Sequence, residues 1–458
     1  MEQRKDLLNG PILSGLWRFA TPLMLTAFVQ MTYNLTDMVW IGQIDSDAVA
    51  GAGTVGFFLW ISNALGLIPK TGMGVLAAQR FGAGDTKGTR AVFCAGFQVA
   101  AVVALLFFLF TQTILASFVS FYQLGERVNA YAMAYGRWVL FVNPLSMANI
   151  AFSQCHQSLG NSMTPFRINA FGLAANIVLD PLLIFGWGPI PSMGIVGAAV
   201  ATVLAQALVL ALFLYARRRE DLIHRISLRI RPDLRLWVAI LELGVPASLI
   251  SLCHALISMF LNKLTAQYGA VAIAVATVGS QLESIAWMTS EGFSVAITAM
   301  VAQNYGARQY TRMRRVMHNG VGSMVVMGLV AAVILVFGRQ PLFALFFPNN
   351  AEAVRLGGLY LLIFGIVEPF VTLEISSSGC LNGVGKTHIS SFIATTSNLL
   401  RIPGALLLSP FWGITGIWLA MSFSNVFKGL WCFSYLFREQ RRACYRERET
   451  GLSGERQH

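Results

Sequence analysis

Charge is what this sequence has least of. Only 12% of its 458 residues are charged, against 55% hydrophobic, too little polar surface for a soluble protein of this length. Acidic residues are the scarcer sign, with 21 Asp and Glu against 33 Lys and Arg. Cysteine is sparse as well: Cys94, Cys155, Cys253, Cys380, Cys432 and Cys444 form no C-x-x-C pair. They read as small apolar packing residues, not as metal ligands or disulfides. No H-E-x-x-H, G-x-S-x-G or Walker sequence occurs, so hydrolysis and ATP-driven pumping have no visible machinery. The expectation is a protein that is not an enzyme and carries no cofactor.

What is present is apolar length. Runs such as Ala91 to Val119 and Val238 to Leu261 reach the roughly 20 residues that a helix needs to cross about 30 Å of hydrocarbon. A spanning β-barrel shows short alternating segments instead, so the expected fold class is all-α integral membrane. About twelve spans are expected, near 14–42, 50–72, 90–119, 130–155, 165–187, 194–216, 236–262, 270–300, 316–340, 353–379, 390–411 and 414–437. The first follows the charged residues Arg4 and Lys5 without an A-x-A-like cleavage site, and reads as a retained helix.

The net charge of +12 is not spread evenly. Basic residues collect in alternate loops: Arg80, Lys87 and Arg90; Arg217, Arg218, Arg219, Arg225, Arg229, Arg231 and Arg235; Arg308, Arg312, Arg314 and Arg315; and Arg438, Arg441, Arg442, Arg446 and Arg448. The intervening loops are nearly bare or acidic, as at Asp45 and Asp47. This positive-inside pattern puts both termini in the cytoplasm. It also accounts for the basic balance without a nucleic-acid partner, leaving membrane lipid as the expected contact of the basic segments.

The chain repeats itself. Ala78-Gln79-Arg80-Phe81-Gly82-Ala83 recurs as Ala302-Gln303-Asn304-Tyr305-Gly306-Ala307 at a spacing of 224 residues, and the same spacing pairs Pro22 with Pro246. Asn143-Pro144 pairs with Glu368-Pro369, and Gly160 with Gly385, at 225. Asn176 and Pro181 pair with Asn398 and Pro403 at 222, and Gly194-Ile195-Val196-Gly197 with Gly413-Ile414-Thr415-Gly416 at 219. Six spans per half is an even number, so both halves enter the membrane the same way, as a parallel repeat about an axis along the membrane normal. The expected organisation is an N-lobe over 1–216, a basic cytoplasmic linker over 217–235, a C-lobe over 236–437 and a basic tail over 438–458. Two such lobes meeting at a cleft suit a rocker-type carrier.

An ionised carboxylate within a span is costly and marks a cavity or a partner. In the first half, Asp37 shares a helix face with Tyr33, and Asp180 with Asn176, each pair four residues apart. If spans 1, 5 and 6 pack together, these side chains and Thr202 form a polar pocket. Two carboxylates in such a pocket cannot both ionise cheaply, which suits proton coupling; the same oxygens, Asp37, Asn176, Asp180 and Thr202, can equally ligate Na⁺. The repeat places Leu261 and Ile402 at the positions of Asp37 and Asp180, so the fold does not require acids there. The second half has its own charged set: His254, Glu283, Glu291, Glu368, Glu374 and Arg401. Glu283 and Glu291 are expected roughly on one helix face, Glu368 and Glu374 on different faces. Arg401 is expected to neutralise one glutamate through a buried pair, and His254 to be a polar packing residue. The acids read as the wall of a cavity that attracts cations. Pro22, on the same helix as Asp37, frees a backbone carbonyl and bends the helix, making it the candidate conformational hinge.

Together these features resemble the multidrug and toxic compound extrusion (MATE) family over essentially the whole chain. The resemblance rests on the 6+6 layout, Pro22 followed by Tyr33-Asn34-x-x-Asp37, the repeated Gln79-x-x-Gly82-Ala83 and Gln303-x-x-Gly306-Ala307, Asn176-x-x-x-Asp180, Thr202, and the Gly-rich turns at Gly160–Pro165 and Gly379–Thr387. The two aspartates are similar to those of the branch related to the DNA-damage-inducible F proteins. The turns depart from the family in carrying Asn161 and Lys386 where an aspartate is common, and Glu291, Glu368 and Glu374 are additional acids. The resemblance implies antiport of amphipathic, often cationic drugs against H⁺ or Na⁺, by a monomer in a bacterial cytoplasmic membrane. It further implies an N-lobe cation site of Tyr33, Asp37, Asn176, Asp180 and Thr202, with Glu283 in coupling or substrate binding. The competing expectation is export or flipping of a lipid-linked or metabolite substrate on the same fold. Polyanionic lipid-linked sugars would call for basic residues in the cleft.

Overall fold

A computed structural model describes residues 7–121, 125–189, 191–219, 221–224, 226 and 231–454, without the side chains of Asn34, Leu35, Arg219, Ala270 and 442–454. Of the basic residues read as facing the cytoplasm, Arg4, Lys5, Arg225 and Arg229 lie outside the described residues. So do the side chains of Asn34, Arg219, Arg442, Cys444, Arg446 and Arg448.

Every described element is helical. The first half gives α1 (Ile12–Gly42), α2 (Ser46–Gly82), α3 (Thr86–Phe121), α4 (Glu126–Val139), α5 (Val142–Ser158), α6 (Met163–Phe185) and α7 (Ile195–Ala216). The second gives α8 (Leu234–Ala266), α9 (Ala270–Gly306), α10 (Tyr310–Phe337), α11 (Arg339–Phe346), α12 (Ala351–Gly383), α13 (Thr387–Leu399), α14 (Arg401–Trp412) and α15 (Ile414–Gly454). Nine of the described helices are long and apolar enough, by length and composition, to cross a membrane. The other three predicted spans are helical too. Span 4 is α4 and α5, broken at Leu140 and Phe141; span 11 is α13 and α14, broken at Leu400; span 12 is the first part of α15. The α4–α5 break falls where Pro144 removes a donor and crowds the carbonyl four residues back, that of Leu140. Large apolar side chains point outward, Leu106 at 63% exposure and Phe411 at 81%, which a lipid surround accepts and water does not.

The repeat is visible in the turns. After α2, Ala83 N donates to Gln79 O at 3.0 Å and Asp85 N to Arg80 O at 3.0 Å; after α9, Ala307 N donates to Gln303 O and Gln309 N to Asn304 O, both at 2.9 Å. Gly84 takes φ +81° in the first turn, and Arg308 takes φ +58° at the matching place in the second. After α5, Asn161 N donates to His156 O at 2.9 Å, and after α12, Lys386 N donates to Leu381 O at 2.9 Å.

The chain forms two compact units, Leu25–Ser248 and Met1–Met24 with Leu249–His458. The divisions fall inside α1 and α8, two residues after Pro22 and Pro246 respectively. In the first unit α2 packs on α3, α4 and α5, while α7 packs on α4, α5 and α6. The first part of α8 crosses α2 so closely that a Cβ on Gly72 would meet the Ile240 backbone, and one on Gly244 the Ile68 backbone. In the other unit α12 packs on α9, α10 and α15, and α14 packs on α15. The first part of α1 joins that core: Leu16, Phe19, Ala20 and Leu23 bury among Phe293, Met300, Met317 and Leu436. Trp17 meets Phe293 edge-on at 5.0 Å. Each half of the sequence thus lends the opening turns of its first helix to the unit built mainly from the other half.

Candidate functional site

The unit Leu25–Ser248 brings together the residues that the sequence singled out in the first half. Tyr33 and Asp37 come from the later part of α1, Asn176 and Asp180 from α6, and Thr202 from α7, which packs along α6. Asn176 and Asp180 are fully buried, and Tyr33 and Thr202 nearly so. Asn176 Nδ2 donates to Asp180 Oδ1 at 3.1 Å. Asp180, Asn176 and Thr202 all lie near the Asp37 carboxyl, and Thr202 also lies near the Tyr33 hydroxyl. The Thr202 hydroxyl donates to Ala198 O at 2.9 Å, which leaves its lone pairs able to accept or ligate.

Four oxygens here are sealed from solvent and have no partner among the described residues: Tyr33 Oη, Asp37 Oδ1, Asn176 Oδ1 and Asp180 Oδ2. Buried polar atoms are normally paired. A set of carboxylate, amide and hydroxyl oxygens suits either a proton held between the carboxyls or a hard cation ligated by oxygen. Tyr135, on α4, is buried close to both aspartates and was not anticipated. A tyrosine is ordinary in a membrane span and carries no signal of its own.

The second half gathers a larger polar group within its own unit. Glu283 comes from α9; Tyr360, Glu368 and Glu374 from α12; Arg401 from α14; and Ser424, Asn425 and Lys428 from α15. Glu368, Glu374 and Arg401 are buried. Tyr360 lies beside the Glu283 carboxyl, and Glu368 is close enough to act on it through space. Glu283 Oε1 is sealed without a partner among the described residues.

Several expectations change here. Arg401 does not pair with a glutamate: its Nε donates to Ser424 Oγ at 3.2 Å and its Nη2 to Asn425 Oδ1 at 2.6 Å. The buried ion pair is Lys428 with Glu374, at 3.2 Å, and Glu374 also accepts from Ser378 at 3.0 Å. Lys428 stands inside the predicted twelfth span, so the rule that singled out the acids would have found it. Glu368 and Glu374, six residues apart, are both buried, which different faces of α12 allow because it packs on α9, α10 and α15. Glu291 is exposed whereas Glu283 is half-buried, because eight residues at about 100° each leave the two about 80° apart. His254 is exposed and not packed in the core, and it feels Arg401 and Lys428 through space.

Paired oxygen-rich and charged clusters in a duplicated helical membrane protein define a carrier of the secondary-transporter class. The chain belongs to the MatE family, whose profile matches residues 22–182 and 246–407, one stretch in each half and each beginning at the paired proline. Its relatives include the probable multidrug resistance protein YoeA of Bacillus subtilis, 29% identical over 88% of this chain and 90% of that protein. They also include an FAD transporter of Shewanella oneidensis, 24% identical over 94% of this chain and 96% of that protein. Among solved structures, the MATE transporter VcmN of Vibrio cholerae in its bent form superposes with a TM-score of 0.87 at 20% identity, covering 97% of this chain and 99% of that one. The fold is accordingly that of a multi-pass MATE transporter, with twelve transmembrane helices in two six-helix lobes.

Proposed function

We propose that this chain is a secondary active multidrug exporter that drives amphipathic, often cationic organic compounds out of the cell by alternating access, in exchange for H⁺ or Na⁺. The reading is supported by membership of the MatE family and by relatives named for multidrug resistance. The observation that carries it is the set of four sealed, unpartnered oxygens on Tyr33, Asp37, Asn176 and Asp180. The incoming ion binds there, with Thr202 as a further ligand. Glu283, Glu291, Glu368 and Glu374 attract the substrate cation. Pro22 lets α1 bend when the ion binds at Asp37. The transport lobes are 1–216 and 236–437, joined by the cytoplasmic linker 217–235, with a cytoplasmic tail over 438–458. The protein acts as a monomer in the bacterial cytoplasmic membrane, with both termini inside. Its kinship with the DNA-damage-inducible F branch rests on Asp37 and Asp180.

Purified protein in proteoliposomes separates the two ions. Efflux is driven first by a pure proton gradient, then by a pure Na⁺ gradient. One of the two is expected to support uphill movement of an amphipathic cation; transport that ignores both would overturn the antiport reading. A second reading, export of a metabolite substrate, has an observation of its own. Arg401 and Lys428 stand within spans, and a relative of nearly the same length is named an FAD transporter.

A further inference from the structure

Arg401 is a guanidinium held inside a span with no carboxylate paired to it among the described residues. It opens α14 and is 5% exposed. Both of its acceptors, Ser424 and Asn425, are neutral. Ser424 is itself fixed by donating to Ser397 O at 2.7 Å, so the guanidinium plane is set before any ligand arrives. Nη1 donates to none of the described residues and is not among the fully sealed polar atoms. The acids nearby are otherwise engaged or too far to pair. Glu374 is taken by Lys428 and Ser378, and it acts on Arg401 only through space, as does Glu283 more weakly.

Packing does not ask for this charge. The repeat puts Leu179 at the position of Arg401 and Val209 at that of Lys428, so the first half places apolar residues there, although its α6 runs unbroken where α13 and α14 divide. A buried cation kept for structure is normally neutralised by a carboxylate, as Lys428 is. Arg401 is oriented by neutral acceptors and left with donors to spare, the arrangement of a fork awaiting a planar oxyanion.

We propose that Arg401, positioned by Asn425 and Ser424, is an anion-binding and specificity-determining residue that receives a carboxylate or phosphate group of the substrate. Glu283 and Glu368, which form no ion pair among the described residues, receive the cationic end. The preferred substrates are then zwitterionic amphipaths instead of simple lipophilic cations. This deepens the exporter reading and rests on it.

The probes are three forms of one biphenylmethylamine: the free carboxylate, the phosphate monoester and the neutral methyl ester. Binding to the full-length chain in detergent is measured by titration calorimetry, and exchange by counterflow in proteoliposomes. The wild type is expected to bind at least one anionic form about tenfold to a hundredfold more tightly than the ester, and the better of the two identifies the group. Arg401→Gln is expected to bind all three alike. Arg401→Lys keeps the charge without the fork and is expected to fall between, which preserves the test if the glutamine variant does not fold. An ester bound as tightly as both anions by the wild type, or a preference undiminished in the folded variants, overturns the assignment while leaving the exporter reading in place. If neither these probes nor a lipophilic cation exchange at all, the exporter reading falls, and this inference with it.

Discussion

Asp45 precedes α2, and its carboxylate accepts from Ala48 N at 2.7 Å, Arg127 Nη2 at 2.7 Å and Tyr131 Oη at 3.0 Å. The Ala48 N–H foremost, then the Tyr131 hydroxyl and the Arg127 charge, hold this carboxyl below its ordinary range. A carboxyl that titrates lower in the folded than in the unfolded chain adds stability above about pH 4, and that stability is lost as pH falls further. Asp45→Ala should therefore lower the melting temperature at pH 7 and flatten its acid-side fall; equal acid slopes in the two proteins would contradict this. Lys428 and Glu374 are a different case, because both are nearly buried. Removing one partner strands a charge, so Lys428→Met should cost about 3–5 kcal/mol, and the double variant with Glu374→Leu should recover most of it. Denaturation of the three purified proteins measures this. At this scale the sequence exposes what is expensive. Asp37, Asp180, Glu283 and Lys428 stand out because charge in an apolar run needs a reason. Tyr135 and Tyr360 do not, since tyrosine is at home in a span. The partner of Arg401 was misjudged because sequence shows that a buried charge must be satisfied without showing by which neighbour.

At the scale of helices, hydropathy locates the spans but neither their breaks nor their full lengths. Both α2 and α9 run for 37 residues, well past the roughly 20 that the hydrocarbon needs, because their last turns carry polar residues such as Gln79 and Gln303 that hydropathy counts against them. Pro144 coincides with a break, while its counterpart Pro369 lies within the continuous α12. The turns, in contrast, are legible in detail, because paired glycines mark backbone conformations that other residues resist. Arg308 is the exception, an arginine at φ +58° where the first half has Gly84 at +81°. The left-handed region costs a non-glycine residue roughly 1 kcal/mol. Arg308→Gly should therefore raise the melting temperature slightly, and Gly84→Ala should lower it. The opposite order in thermal unfolding would show that the two turns do not share a conformational constraint.

At the scale of the whole molecule, the duplication was readable as a run of collinear matches. The division of the chain was not. Each compact unit takes its first helical turns from the opposite half, and the divisions at Met24 and Ser248 leave no mark in hydropathy or charge. The only hint is the pair of prolines, Pro22 and Pro246, each two residues before a division. If bending at these points accompanies transport, Pro22→Ala and Pro246→Ala should both slow turnover while leaving substrate binding unchanged, which parallel counterflow and binding assays resolve. The ion site belongs to one unit alone, and the central claim is that its carboxylates convert an ion gradient into substrate movement. The most direct test compares wild type with Asp180→Asn in proteoliposomes, measuring uphill efflux under the driving gradient and exchange without one. Loss of uphill efflux with exchange retained is the predicted result; uphill efflux undiminished in Asp180→Asn would contradict the account.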